Sequence, residues 1–157
     1  SAGHVCTATP DGVCYLADAV LSHELLGAKL PYNLSMAMCM ESREKLRGLP
    51  YDTYIMAHHG ICTDAELPHL IDENQALIRT RAEEIRSLIP RPMTISQIDA
   101  AVCAYYQLFT HKPNRALRFE RNICFFVEYL VDQGLLEVRC RGGVALYGPP
   151  AAQTDAP

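Results

Sequence analysis

Three residues of this chain are of types that can ligate a metal, and each alone reads equally as a turn or cap residue: His4, Asp18 and His59. His4 follows Gly3 at the start of the sequence. Asp18 closes the apolar run Val13-Cys14-Tyr15-Leu16-Ala17. His59 closely follows another apolar run, Tyr54-Ile55-Met56-Ala57, and precedes Gly60. Imidazole nitrogens hold zinc in defined geometry, and a carboxylate can bridge two cations. A side chain at the end of a hydrophobic strand projects into the cleft where ligands gather. His58 either supports His59 from behind or faces solvent. Cys62 is one further donor close in sequence.

The elements that must position these residues can be read from pattern. Residues 4–9 and 13–17 read as a hairpin whose turn chemistry is Pro10-Asp11-Gly12. Residues 19–34 read as irregular, interrupted by Gly27 and Pro31. A helix is expected over 35–46, with Met36, Cys39, Met40 and Leu46 on one face, stopped by Gly48 and Pro50. Residues 52–57 read as a short buried strand leading to His58-His59-Gly60. A helical pattern then runs over 64–89, capped by Thr63 or Asp64, with a break expected near 72–74. Pro90 and Pro92 end it. Thr94-Ile95-Ser96-Gln97 is a capping-box sequence that opens a helix to about residue 109. Another helix is expected over 115–132, with Gly134 at its C-terminal cap. Residues 135–140 and 144–147 then form a hairpin around Arg141-Gly142-Gly143. The tail over 149–157 has nothing to bury and is expected to be disordered.

Composition sets the class. The 157 residues are 49% hydrophobic and 20% charged, which predicts a packed core. The net charge of −4 argues against a dedicated nucleic-acid binder. No apolar run reaches the roughly 18–20 residues of a membrane span, so no membrane partner is expected. The seven cysteines are scattered, with no C-x-x-C pair. That excludes a zinc ribbon by pattern and fits a reducing, cytoplasmic setting. Charge is uneven along the chain. Residues 1–90 carry 7 Lys and Arg against 12 Asp and Glu, while residues 91–148 carry 7 against 5.

The order Gly3-His4, Asp18 after a hairpin, then His59-Gly60 after a strand resembles the back half of a metallo-β-lactamase-fold, glyoxalase-II-like hydrolase. Thr9-Pro10-Asp11-Gly12-Val13 is similar to the family's turn, and Ala17-Asp18-Ala19 stands where the family often has Gly-Asp-Ala. Tyr51-Asp52-Thr53-Tyr54 resembles its late strand, and His58 departs from a common Gly. The resemblance implies two zinc ions. His4 would bind one, Asp18 would bridge both as the catalytic carboxylate, and His59 would bind the second. The activity implied is hydrolysis of an ester, thioester or phosphodiester small-molecule substrate by metal-bound hydroxide. The family's His-x-His-x-Asp-His cluster is not in this sequence. The chain alone is therefore expected to be inactive, with a partial or empty metal site, and to be a truncated portion of its parent.

The second half lays out as helix, extended link, helix, helix and two-stranded wing, the order of a winged helix. The expected fold class is thus α/β, an αβ/βα metallo-β-lactamase half-domain over 1–75, followed by a mostly α winged helix over 76–148. Arg115, Arg118 and Arg121 recur every three residues on the helix that would read a nucleic-acid groove. They suit phosphate contact, and equally a solvated face or a surface packed on the first domain. A nucleic-acid-binding or dimerising winged-helix module is the alternative function. With the front half of the fold absent, the inner sheet face over 4–17 and 52–57 is expected to be open and to drive self-association.

Overall fold

A computed structural model describes residues 5–58 and 60–151. It divides between Thr80 and Arg81 into two compact units.

The first unit is built on a four-stranded sheet of order β1-β2-β3-β4, with β1 at Thr7–Ala8, β2 at Val13–Ala17, β3 at Thr53–Met56 and β4 at Gly60–Thr63. The hairpin expected around Pro10-Asp11-Gly12 joins β1 and β2 antiparallel, with Thr7 opposite Tyr15. Gly12 has φ +85, and a Cβ there would lie 2.9 Å from an Asp52 carboxylate oxygen. Its carbonyl accepts hydrogen bonds from the Asp52 and Thr53 amides, which seats the turn on the start of β3. β2 and β3 run parallel, and β3 and β4 antiparallel. A parallel pair needs a crossover. Residues 18–52 supply it, with a 3₁₀ turn at His23–Leu25 and helix α1 at Met36–Leu46. Ser35 caps α1 through its hydroxyl, which accepts from the Met38 amide.

The strands alternate as period-2 patterning requires. Cys14, Leu16, Tyr54, Met56 and Cys62 are buried in one core with Leu46, Leu67, Leu70 and Ile71. The opposite face stays open. Tyr15, Ile55 and Ile61 sit side by side in register across three strands, with Tyr15 and Ile61 exposed and Ile55 half-buried. The other face is filled from within the chain.

Helix α2 runs unbroken over Leu67–Ser87, so the break expected near 72–74 does not occur. Asn74, the residue that suggested it, turns inward and donates to the Leu70 carbonyl at 2.9 Å. Strand β4 was not expected. Its Ile61, Cys62 and Thr63 are a strand by composition, but the run is too short to stand out between His-Gly and the helix.

The second unit contains the end of α2, α3 at Ile95–Tyr105, α4 at Pro113–Asp132, β5 at Glu137–Arg141 and β6 at Val144–Gly148. Thr94 and Gln97 form the expected capping box. Helix α3 stops four residues short of expectation. Gln107 takes a left-handed φ of 53, and the Leu108 and Gln107 amides donate back to the Cys103 and Ala104 carbonyls. This is the closing geometry usually built on glycine. Gly134 does the same for α4, with φ 68 and the Leu135 amide on the Leu130 carbonyl. β5 and β6 pair antiparallel through Gly142 and Gly143, both at positive φ, as a two-residue hairpin turn demands. Met93 and Tyr147 exchange backbone hydrogen bonds of 2.9 and 2.8 Å, adding a bridge beside the hairpin. Ile98, Val102, Ile123, Phe126, Val127, Leu130 and Leu136 are buried. Among the described residues no helix is long and apolar enough to cross a membrane.

Candidate functional site

Asp18 follows β2 directly, and His58 follows β3 by one residue. Because β2 and β3 are parallel neighbours, both residues leave the sheet at the same end. The register slips between Tyr15 and Ala17, and the Ala57 amide donates to the Ala17 carbonyl at 2.9 Å, closing the two strand ends together. His58 Nε2 comes to 3.6 Å from Asp18 Oδ1, with both side chains mostly exposed. His58, read from the sequence as either supporting His59 or facing solvent, is beside the Asp18 carboxylate and mostly exposed. His4 and His59 lie outside the described residues.

The backbone is strained on both sides of this pair. Ala17, just before Asp18, has φ 49, and His58 has φ 60. Left-handed geometry costs a residue with a Cβ about 1–2 kcal/mol and persists only where surrounding structure over-determines it. At Gln107 the same conformation simply ends a helix. At Ala17 it falls on the last residue of β2, and at His58 it falls just past the end of β3.

Two buried polar side chains hold the segment that follows Asp18. Arg43 of α1 is 1% exposed, and its Nε donates to the Ala19 carbonyl at 2.8 Å. Its Nη2 reaches Asn33 Oδ1 at 3.4 Å, and its Nη1 has no hydrogen-bond partner among the described residues. Burial pulls the Arg43 pKa down from its ordinary value. Asn74 of α2 grips Leu21 twice: its Oδ1 accepts from the Leu21 amide at 2.8 Å, and its Nδ2 donates to the Leu21 carbonyl at 2.9 Å. The segment after Asp18 is therefore pinned at Ala19 and at Leu21 by two different helices. Sequence reasoning missed both residues, although a signal existed. Arg43 lies seven residues after Met36, and Asn74 lies seven after Leu67, so each polar residue occupies an apolar position of its helix.

Gly60 starts β4 in a crowded place. A Cβ there would stand 2.7 Å from the Ser22 Cβ and 2.8 Å from the Met56 methyl. Beside it a cavity of about 180 Å³ is lined by Ser22, His23, Met56, Cys62, Glu66 and others. Cys62 points into the core rather than toward Asp18, so it is not a ligand candidate. Burial and the nearby Glu66 push its thiol pKa up, which keeps it protonated.

Among the described residues, no three His, Cys, Asp or Glu side chains group closely enough to hold a metal ion. The Asp18 carboxylate and the His58 imidazole are donor types that zinc accepts, but a structural or catalytic zinc takes at least three protein ligands. The described pair fits part of such a site and does not complete one.

No family model matches the chain, and no curated relative matches it. Solved structures do. A metallo-β-lactamase family protein from Thermus thermophilus superposes with a TM-score of 0.62 at 18% identity, over 88% of this chain. A β-lactamase domain protein from Burkholderia ambifaria gives 0.64 at 19% identity, again over 88%. The fold is that of metallo-β-lactamase family proteins. This chain spans only 42% of the length of either structure. At these identities the metallo-β-lactamase likeness is one of fold.

Proposed function

We propose that this chain carries one wall of the active site of a metal-dependent hydrolase. In this reading Asp18, His4 and His59 are ligands to zinc, and Asp18 is the carboxylate shared between two ions in the whole protein. The metal supplies an activated water for attack on an ester, thioester or phosphodiester. Residues 76–148 are read as a winged-helix extension. Their element order and the Met93–Tyr147 bridge beside the β5–β6 hairpin support this.

The observation that carries the proposal is the strand-end geometry. Asp18 and His58 leave the sheet at the same end of adjacent parallel strands, with left-handed backbone at Ala17 and at His58. The segment that follows Asp18 is held by buried polar side chains, Arg43 on Ala19 and Asn74 on Leu21.

Zinc titration of the chain by calorimetry tests this. The expected result is weak, single-class binding that Asp18→Asn or His59→Ala lowers by more than about tenfold, the size of effect seen when metal-site residues are altered. Equal affinity in wild type and Asp18→Asn overturns the ligand assignment. Tight uptake of two zinc ions with turnover by this chain alone overturns the partial-site reading.

A further inference from the structure

Helix α4 is buried at one end only. Its core-facing residues are Asn122, Ile123, Phe126, Val127 and Leu130, all from its midpoint onward. Between Pro113 and Arg121 every residue is exposed except the half-buried Phe119. Nine residues of helix, about 14 Å in length, thus project with no face buried among the described residues. A helical stretch with no buried stripe gains little from packing, and here even Leu117 is 54% exposed. Here it persists as the continuation of a well-buried half.

The charge of this stretch is one-sided. Lys112, Arg115, Arg118 and Arg121 stand against the single carboxylate Glu120. The first turn of α4 holds no acidic residue, and Lys112 at the cap position offers no side-chain hydrogen bond to the free amides. The positive end of the helix dipole therefore adds to the side-chain charge. An open concavity of about 810 Å³ lies at this end, lined by His111, Lys112, Pro113, Asn114, Arg115 and Arg118. The Arg115 guanidinium sits 5.9 Å from the Phe119 ring centroid, which limits its wandering.

We infer that the N-terminal half of α4 docks into the major groove of double-stranded DNA, its basic residues meeting the flanking phosphates. The B-form major groove is about 12 Å wide and admits one α-helix exposed on all sides, whereas the deep, narrow major groove of duplex RNA does not. The inference does not depend on the metal site.

Fluorescence anisotropy of the full chain with a labelled 20-base-pair DNA duplex, repeated across salt concentrations, tests it. With four phosphates neutralised, the slope of log affinity against log salt is expected near about −3.6. Arg115→Gln/Arg118→Gln should weaken binding at least about tenfold and halve the slope to about −1.8. Lys45→Gln on α1 should leave both unchanged. Helicity by circular dichroism confirms that the doubly substituted chain is folded, and the wild-type slope stands as a measurement without any variant. The inference is overturned by a flat salt dependence, by an unchanged slope in the double variant, by an equal loss in Lys45→Gln, or by tighter binding to the single strand than to the duplex.

Discussion

The turn after Asp18 and the start of α4 both present polar side chains to solvent, yet they are built in opposite ways. The Asp18 turn is gripped from behind. Arg43 and Asn74 reach it from two helices, and the strained Ala17 is held against its preference. The start of α4 is carried by the continuity of its own helix. The difference matches what the two regions are proposed to recognise. A metal demands ligands fixed to a fraction of an ångström, whereas a row of phosphates demands accessible charge and tolerates side-chain motion. The strongest way to break this comparison is at Asn74. Asn74→Ala removes both hydrogen bonds to Leu21 and the one to the Leu70 carbonyl, leaving partly buried backbone groups unpaired. A loss of about 2–3 kcal/mol is expected, read as a lower urea midpoint with unchanged slope. A loss below about 0.5 kcal/mol, the level of an ordinary surface substitution, would mean that the turn holds itself.

Gly60 sharpens the same side of the comparison. Adding a methyl there drives it against Ser22 and Met56, and Met56 is itself in the core. The flexible end of Met56 can yield, but the Ser22 Cβ cannot move without shifting the segment that Asn74 pins. Gly60→Ala is expected to cost about 1–3 kcal/mol, the range for overpacking. If thermal melts show no change, the Ser22 segment is looser than its hydrogen bonds imply.

Much of this arrangement was legible before any coordinates. The hairpin turn announced itself through Pro10-Asp11-Gly12, α1 through its apolar spacing, and α3 through its capping box. Those signals are local, and local chemistry decides them. Three features were not legible, each because tertiary contact decided it. β4 is a four-residue strand that exists by pairing with β3. The unbroken course of α2 through Asn74 depends on a carboxamide finding Leu21, 53 residues away. Gln107 ends α3 early in a conformation that sequence reserves for glycine. At the site, Asp18 was recognisable by its place after a strand. Arg43 and Asn74 looked like ordinary polar residues until their helices placed them on the buried side.

The smallest expected effect is the other half of the comparison. Arg115→Gln/Arg118→Gln should change stability by no more than about 0.5 kcal/mol, as exposed substitutions away from caps and cores do. Both side chains are exposed, no buried residue of α4 precedes Asn122, and glutamine is nearly as good a helix former as arginine. Arg115 stands to lose its place over the Phe119 ring, a contact worth at most about 0.5–1 kcal/mol at an exposed site. Removing two like charges from a stretch with net positive charge acts in the opposite direction, as does relieving their repulsion with the helix dipole. The two contributions offset, so the thermal midpoint should stay in place. A marked fall in that midpoint would show that the basic half of α4 is holding structure rather than waiting for a ligand. The two regions would then be built alike.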